Sequence, residues 1–496
     1  MISFHRLEHE VSNGFKLSIV LWFSIMVSLS FYGGVAEIGG NKILLEDEDT
    51  KIFLDFGMSF GKRGKYFEEF LKPRTANGIG DFFELGLIPD ISGIYREDLL
   101  IHQGRNAEEP IVQAVLLSHA HADHANYISF LHEKIPVYSG KTSKRILDAV
   151  DEQSQRSLES EVLNYKKRPL YRRDYKKQPV KRSFNLFRTN DKICIGSLEI
   201  YPIHVDHSVP GAYGFIIYTS EGPIVYTGDL RMHGLRNDQT NDFVREAMQA
   251  NPIAVITEGT RVDQEKTNES ERTVYVKAKK ALANNSNASI VDFNFKDVDR
   301  FSTFYRIAKE LNKQLVISFK HACFLEQYHR DKKLKTPHST DDQINILLPK
   351  RNTGTYDLKE DYTDRFIKKR LNYPNIITAE DIQKNPSKYI VVLNYWYFNT
   401  MVDLKPYGGM YIHSLSEPFN EEMEISFERM KNWLNHFDLN LIQAHCSGHI
   451  NGQDLKNILT EINPKKLFPI HTEHPQQFKS LDMKTIMVEE GKTYKL

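Results

Sequence analysis

The sequence is poor in the features that mark secreted, repetitive or strongly charged chains. It has three cysteines in 496 residues, Cys194, Cys323 and Cys446, which are too few and scattered for a disulfide framework. No internal repeat is present, which argues against solenoids and propellers. The 65 basic and 65 acidic residues cancel, so any attraction to nucleic acid must come from local patches.

An apolar run at residues 17–29 (LSIVLWFSIMVSL) follows Lys16 and resembles the core of a signal peptide. Its 13 residues are too few to cross a bilayer, and no small-residue cleavage pattern follows. Cleavage there would also remove a predicted strand. We therefore favour an N-terminal extension, residues 1–27, with Met26 as the functional start, over a targeting segment. Together with the cysteine usage, this predicts a cytoplasmic protein with no membrane contact.

Beyond this extension, short apolar strands alternate with helical stretches, which is typical of an α/β protein. The segments IVQAVLLS, YGFIIYTS, PIVYTGD and NPIAVITEG are predicted strands that each end in polar or titratable residues. A second alternating unit starts at about residue 261. The charge-rich stretch 328–386 lacks a long apolar run, and we expect it to form surface helices and loops.

The densest group of titratable residues lies in LLSHAHADHAN, which contains His119, His121, Asp123 and His124. Imidazole nitrogen and carboxylate oxygen are zinc ligands, and a catalytic zinc keeps one position open for water. A turn directly after a buried strand lets these side chains point in two directions. The pattern H-x-H-x-D-H therefore predicts a site for two metal ions.

Two further strand ends offer more ligands, His207 in HVDHSVPGAYGF and Asp229 in YTGDLRMHG. A carboxylate at the second position could bridge two ions through its two oxygens. His204 and His233 compete with His207, since either could be a ligand or an ordinary structural histidine.

Together with Asp55 in FLDFG, these segments resemble the metallo-β-lactamase fold hydrolases. The segments VITEGTR, HCSGHINGQDL and LFPIHTEHP resemble the additional motifs of the β-CASP nucleases, and the resemblance is closest to ribonuclease J. It implies an αββα sandwich interrupted by an α/β β-CASP domain. We expect the first part of the sandwich at residues 28–260, the β-CASP domain at 261–440 and the C-terminal part at 441–496.

The resemblance also implies roles for the site residues. One zinc ion would be held by His119, His121 and His207 and the other by Asp123, His124 and His471, with Asp229 between them. Asp55 would orient a ligand imidazole. Catalytic roles fall to Asp123, Glu258 and His449, with His449, supported by Glu258, protonating the leaving oxygen. His445 and Ser447 would contact phosphate.

The third of these motifs carries His471, where DNA-processing relatives usually have valine, so the resemblance favours RNA. A basic segment, YKKRPLYRRDYKKQPVKR, interleaves cations with tyrosines that could stack on unpaired bases. Its predicted RNA-binding residues are Lys166, Lys167, Arg168, Arg172, Arg173, Lys176 and Lys177. The expected partners are single-stranded RNA and, from the resemblance, a second copy of the chain in a homo-oligomer.

These features predict a zinc-dependent ribonuclease that acts as a 5′–3′ exonuclease, an endonuclease or both. One alternative is a small-molecule hydrolase on the same fold, such as a thioesterase or lactonase, which would need neither the long insertion nor Glu258, His449 and His471. Another is an inactive RNA-binding subunit. Such subunits typically lose metal ligands, and all the expected ones are present here.

Overall fold

A computed structural model of the protein describes residues 26–68, 70–154, 157–174, 178–265, 269–418 and 421–496. It also describes the backbone of an antiparallel strand pair, Arg6–His9 and Leu17–Val20, in the predicted extension. Lys176 and Lys177 of the basic segment lie outside the described residues. Among the residues described, no helix is both long and apolar enough to cross a membrane.

Two mixed sheets face each other and form the first layer pair. In spatial order, the first sheet contains Phe184–Phe187, Val137–Gly140, Ala114–Leu117, Thr50–Leu54, Ile43–Asp47, Ser28–Phe31 and Thr493–Lys495. The second contains Ile193–Ile195, Leu198–His204, Tyr213–Thr219, Gly222–Tyr226, Ala254–Thr257 and Leu467–Pro469. Leu54, Leu116, Phe215 and Ile256 are fully buried between them. Each such side chain contributes about 1.5–3 kcal/mol by leaving water.

Helices cover the outer face of each sheet. Lys141–Gln153 buries Ile146 in the cluster on the first sheet, whereas Asn237–Ala250 and Gly452–Ile462 pack on the second through Phe243 and Leu459. The order is therefore helix, sheet, sheet, helix, and the prediction of an αββα sandwich is confirmed.

A third sheet is inserted into this sandwich, and all seven of its strands are parallel. Its spatial order is Ile376–Ile377, Ile344–Leu347, Gln314–Ile317, Tyr389–Val392, Ser289–Asp292, Met410–His413 and Asn440–Gln443. The last strand extends this sheet three residues past the predicted boundary at 440. Helices lie on both faces, since Phe301 and Phe324 pack on one side and Met401 and Leu434 on the other.

The prediction of only surface helices and loops for residues 328–386 is wrong. Two strands of the third sheet, Ile344–Leu347 and Ile376–Ile377, lie inside this stretch. Ile344 and Ile346 are fully buried. Strands this short need only a few apolar residues, so the charged residues around them hid the pattern.

The remaining helices connect the strands or cover their faces. They are Phe60–Gly64, Gly80–Glu84, Glu97–Leu100, Ala122–Ala125, Glu271–Ala283, Val298–Glu310, Phe319–His329, Arg365–Lys368, Ala379–Lys384, Thr400–Leu404 and Glu421–His436. Side-chain caps begin several of them. The Asp297 carboxylate accepts the backbone N–H of Arg300 at 3.0 Å, which satisfies one of the free donors at the helix start.

Candidate metal centre and active site

The titratable residues predicted from sequence meet at one edge of the sandwich, each just after a strand. His119 follows Ala114–Leu117, Asp229 follows Gly222–Tyr226, Glu258 follows Ala254–Thr257 and His471 follows Leu467–Pro469. Because these strands point their carboxyl ends to the same edge, residues far apart in sequence form one cluster.

The first ligand group comprises His119, His121, His207 and Asp229, whose ligand atoms all lie within 4.8 Å of one another. Nδ1 of His121 is 3.1 Å from Nε2 of His119 and 3.1 Å from Nε2 of His207. Oδ2 of Asp229 is 3.6 Å from Nε2 of His119 and 3.8 Å from Nε2 of His207. Four donor atoms therefore converge on one point.

The second group comprises Asp123, His124 and His471, again with ligand atoms within 4.8 Å of one another. Nε2 of His471 lies 3.2 Å from Oδ2 of Asp123 and 3.7 Å from Oδ2 of Asp229, so the Asp229 carboxylate lies between the groups. Gly39 leaves the space for Asp123, because a Cβ at Gly39 would lie 2.6 Å from the Asp123 Oδ2 atom.

The chemistry of this cluster fits metal ions. Both side-chain oxygens of Asp229 and Nε2 of His124 are buried without a hydrogen-bond partner in the described part of the chain. Such atoms are costly unless something coordinates them. Burial lowers the pKa of His121 to about 3 and those of His119 and His207 well below their usual range. These three imidazoles are therefore neutral, which is the form that binds metals.

Asp55 accepts three hydrogen bonds that hold the cluster together. Its Oδ2 accepts hydrogen bonds from Nδ1 of His124 at 2.7 Å, the Ser118 hydroxyl at 2.7 Å and the Tyr226 hydroxyl at 2.6 Å. With Nδ1 held, His124 presents Nε2 to the second ligand group. This geometry supports the predicted orienting role of Asp55. His207 is held similarly, since its Nδ1 donates to the Gly448 carbonyl oxygen at 2.6 Å.

The backbone carries strain at this edge. Asp55 and His471 have positive φ values of 56° and 51°, in the left-handed region that side chains disfavour. Such a conformation costs about 1–3 kcal/mol and persists where surrounding contacts fix it. The backbone N–H of His471 donates to the Gly34 carbonyl oxygen at 2.7 Å, and this contact helps hold the strained segment against the loop of residues 32–42.

Glu258 and His449 form a hydrogen-bonded pair beside the ligand groups. Oε2 of Glu258 lies 2.8 Å from Nδ1 of His449, which is 3.9 Å from Oδ2 of Asp229. Burial opposes the charged imidazole, but the Glu258 carboxylate outweighs it and raises the pKa of His449 to about 9. The imidazole is therefore protonated at neutral pH. Because Nδ1 is bound to Glu258, Nε2 is the nitrogen that can donate a proton to a substrate.

Thr260 is a site residue that the sequence reasoning missed. Its hydroxyl donates to Oε2 of Glu258 at 2.8 Å and lies 2.9 Å from Nδ1 of His471 and 3.2 Å from Nδ1 of His449. A metal ion bound to Nε2 of His471 would leave Nδ1 as the nitrogen that donates to the Thr260 hydroxyl. The only sequence signal was its position two residues after Glu258 in VITEGTR.

Thr260→Val is expected to weaken metal binding by about 10- to 100-fold, because His471 loses the acceptor that orients it. Thr260→Ser retains the hydroxyl and should bind metal as the wild type does. Competition with a chromogenic chelator measures both affinities. Equal affinities for the valine and serine variants would contradict the orienting role of the hydroxyl.

Other candidate residues have structural partners. Nδ1 of His204 lies 2.6 Å from the Thr189 hydroxyl, and Nε2 of His233 lies 2.8 Å from the Ser447 carbonyl oxygen, so neither competes with His207. His445 is largely buried, and Nδ1 lies 3.2 Å from the Ser414 carbonyl oxygen. Burial lowers the pKa of His445 to about 4. The Ser447 hydroxyl accepts the backbone N–H of His449 at 3.1 Å and so lies next to the site.

The described part of the basic segment is partly neutralised. Arg168 is 2.7 Å from Glu161, and Lys167 is 2.9 Å from Glu133. Arg173 is exposed, lies 5.1 Å from the Tyr171 ring centre and has no carboxylate partner among the described residues. In this segment, Lys167 and Arg168 therefore form ion pairs with carboxylates of the protein, whereas Arg173 faces solvent.

Comparisons with known proteins agree with this geometry. Residues 89–283 match the family described as a beta-lactamase superfamily domain. Residues 439–483, which include His445, Ser447, His449 and His471, match the family described as a Zn-dependent metallo-hydrolase RNA specificity domain.

Curated relatives extend the match over most of the chain. Ribonuclease J of Mycoplasma genitalium is 23% identical over 89% of this chain and 67% of that protein. Ribonuclease J of Helicobacter pylori strain 26695 is 22% identical over 90% of this chain and 56% of that protein. The chain thus spans between about half and two thirds of the length of these relatives.

A crystal structure of a protein of unknown function from Enterococcus faecalis V583 has the same fold, with a TM-score of 0.73, 24% identity, and coverage of 95% of this chain and 100% of that one. The fold, the ligand groups and these matches support a metal-dependent hydrolase that is similar to ribonuclease J and the β-CASP group.

Proposed function

We propose that the protein is a zinc-dependent ribonuclease that hydrolyses RNA phosphodiester bonds with two zinc ions. The observation that carries the proposal is the Glu258–His449 pair, 2.8 Å apart, beside two ligand groups with the Asp229 carboxylate between them. A small-molecule hydrolase would have no need of a proton donor from this additional motif. The match to an RNA specificity domain and the ribonuclease J relatives support RNA as the substrate.

The chain would hold one ion with His119, His121 and His207 and the other with Asp123, His124 and His471, and Asp229 would contact both. When bound, the two ions supply a water of lowered pKa and positive charge for the phosphate oxygens. Hydrolysis forms a bond between water oxygen and phosphorus, breaks the bond to the leaving oxygen and releases one proton of the attacking water to solvent. That oxygen takes the proton held on Nε2 of His449, while Glu258 keeps the imidazole charged and oriented.

The domain division supports a cleft for the substrate. We assign residues 261–443 to the β-CASP domain, because Asn440–Gln443 belongs to its sheet, and residues 28–260 and 444–496 to the metallo-β-lactamase domain. Buried ion pairs join the two, since Arg231 lies 2.9 Å from Asp299 and 3.7 Å from Glu271. RNA would enter between the domains, next to the carboxyl edge of the third sheet.

The two kinds of cation in the basic segment should respond differently to charge reversal. Arg173→Glu is expected to weaken RNA binding and flatten its salt dependence, because an exposed cation that displaces counterions is lost. Arg168→Glu should instead lower the melting temperature, because it places a carboxylate beside the buried Glu161. Binding isotherms at several salt concentrations, with thermal melts, separate these effects. An Arg173 variant with an unchanged salt slope would remove this arginine from the RNA path.

The test of the proposed function is a cleavage time course with the metal-assayed protein and an RNA carrying a 5′ monophosphate, triphosphate or hydroxyl. Mononucleotide release from the monophosphate form alone would establish a 5′–3′ exonuclease. Internal fragments that ignore the 5′ group would establish an endonuclease. No RNA cleavage with two zinc ions bound would overturn the proposal in favour of a small-molecule hydrolase.

A further inference from the structure

Three aromatic residues in a row follow the central strand of the third sheet. The turn Tyr395–Tyr397, here called the aromatic turn, begins three residues after Val392. Trp396 is 68% exposed and Tyr397 is 44% exposed. Trp and Tyr normally bury large apolar areas, and exposed ones are enriched where proteins bind ligands. This exposure contributes little to folding, so the aromatic turn needs another explanation.

Hydrogen bonds through Asn394 fix the aromatic turn at the end of the third sheet. Oδ1 of Asn394 accepts the backbone N–H of Trp396 at 3.2 Å, and the Asn394 carbonyl oxygen accepts that of Tyr397 at 2.8 Å. Nδ2 of Asn394 donates to Oδ1 of the buried Asp292 at 3.3 Å, on the neighbouring strand. A fixed turn presents its rings without a large loss of conformational entropy on binding.

A cation accompanies the rings. Nζ of the exposed Lys320 donates to the Tyr397 hydroxyl at 2.7 Å and lies 5.4 Å from that ring centre. Within the described ranges no carboxylate pairs with Lys320, which leaves its charge available to a phosphate. The Lys320 carbonyl oxygen also accepts from the Gln153 side chain, on a helix of the sandwich, at 3.1 Å. The aromatic turn therefore lies near the junction between the domains.

The sheet order relates the aromatic turn to the active site. From Tyr389–Val392, the next strands are Ser289–Asp292, Met410–His413 and Asn440–Gln443. The last leads directly to His445, Ser447 and His449. Because parallel strands lie about 4.8 Å apart, three spacings separate the ends of the first and last strands by roughly 14 Å. A short stretch of single-stranded RNA can span a distance of this order.

We propose that the aromatic turn is a stacking platform for the bases of single-stranded RNA, with Lys320 contacting the backbone, a few nucleotides from the site of hydrolysis. The proposal rests on the proposed function and adds a binding subsite to it. Adjacent aromatic rings beside an unpaired cation match single-stranded nucleic acid, in which each base offers a flat face and each nucleotide a negative charge.

The test measures the affinity of metal-loaded full chain carrying His449→Ala, which limits cleavage, for single-stranded RNA of about 12 nucleotides and of about two nucleotides. Trp396→Ala is expected to weaken binding of the longer RNA about tenfold, with the shorter RNA unaffected. Trp396→Phe should restore most of the affinity because it keeps a ring. Tyr218→Ala is the matched control, since Tyr218 is 40% exposed but lies at the end of its strand away from the ligand groups.

The outcomes separate the platform from the proposed function. If wild-type protein cleaves RNA and Trp396→Ala binds long RNA as tightly as the Tyr218 control does, the platform is wrong and the ribonuclease stands. Length-dependent weakening supports the platform even if no cleavage is seen in the wild type. A change in oligomeric state of Trp396→Ala, without a change in RNA affinity, would instead identify the aromatic turn as a protein interface and overturn the proposal.

Discussion

Asp229→Asn is expected to lower RNA hydrolysis by at least about a thousandfold, because metal-ion catalysis supplies several kcal/mol of transition-state stabilisation and each 1.36 kcal/mol is a factor of ten. The substitution keeps the size of the side chain but removes the negative charge that lies between the two ligand groups. The variant should also lose bound zinc, which elemental analysis measures, while its affinity for RNA changes little because the proposed RNA-binding residues lie elsewhere.

The control for Asp229→Asn is Asp242→Asn, which removes a carboxylate from an exposed ion pair with Arg245. Its activity and zinc content should match those of the wild type. Two zinc ions and undiminished cleavage in Asp229→Asn would contradict the bridging role. A metal-depleted variant that also fails to bind RNA would show that the substitution disturbs the fold, and Asp123→Ala would then carry the test.

Glu258→Gln is expected to lower kcat by about 10²- to 10⁴-fold, the range typical of general acid–base catalysis, and to change its pH dependence. Burial would lower the pKa of His449, whereas Glu258 raises it to about 9. Because the protonated imidazole is the donor, kcat should fall as pH rises through this pKa. Without the carboxylate, the fall moves to lower pH. Bound cations act on both proteins alike, so the difference between their profiles remains diagnostic.

His449→Ala serves as the second variant for this mechanism and should lose the alkaline fall altogether, along with most of the rate. His474→Ala is the control, because His474 forms an exposed pair with Asp263 at 3.7 Å and should leave the profile unchanged. If Glu258→Gln and the wild type share the same alkaline midpoint, another group donates the proton.

The cluster was predictable because its residues follow strands that are visible as short apolar runs. Carboxyl ends of neighbouring strands meet at one edge, so the sequence alone is enough to expect His119, Asp229 and Glu258 together. The choice of His207 over His204 depended on the resemblance, and the structure supports it by giving His204 a bond to Thr189.

Other features have no sequence signature. Thr260 contacts Glu258, two positions away, and His449 and His471, which lie about 190 and 210 positions further along the chain. A single threonine has no spacing pattern that would predict these contacts. The basic segment is a matter of charge count in the sequence, whereas ion pairing between Arg168 and Glu161 depends on how the loop folds. The sequence alone does not show which residues form hydrogen bonds and ion pairs with each other in the folded protein.

The insertion of the third sheet affects how the protein can be made. Val255 pairs with Leu467, so the second sheet gains its last strand only after roughly 200 further residues have been synthesised. His471 follows that strand, and Thr493–Lys495 then completes the edge of the first sheet. During synthesis the parallel sheet can therefore fold before the metal centre exists. Metal binding is therefore a late step, because the ligands come together only after the N-terminal and C-terminal parts of the sandwich have paired.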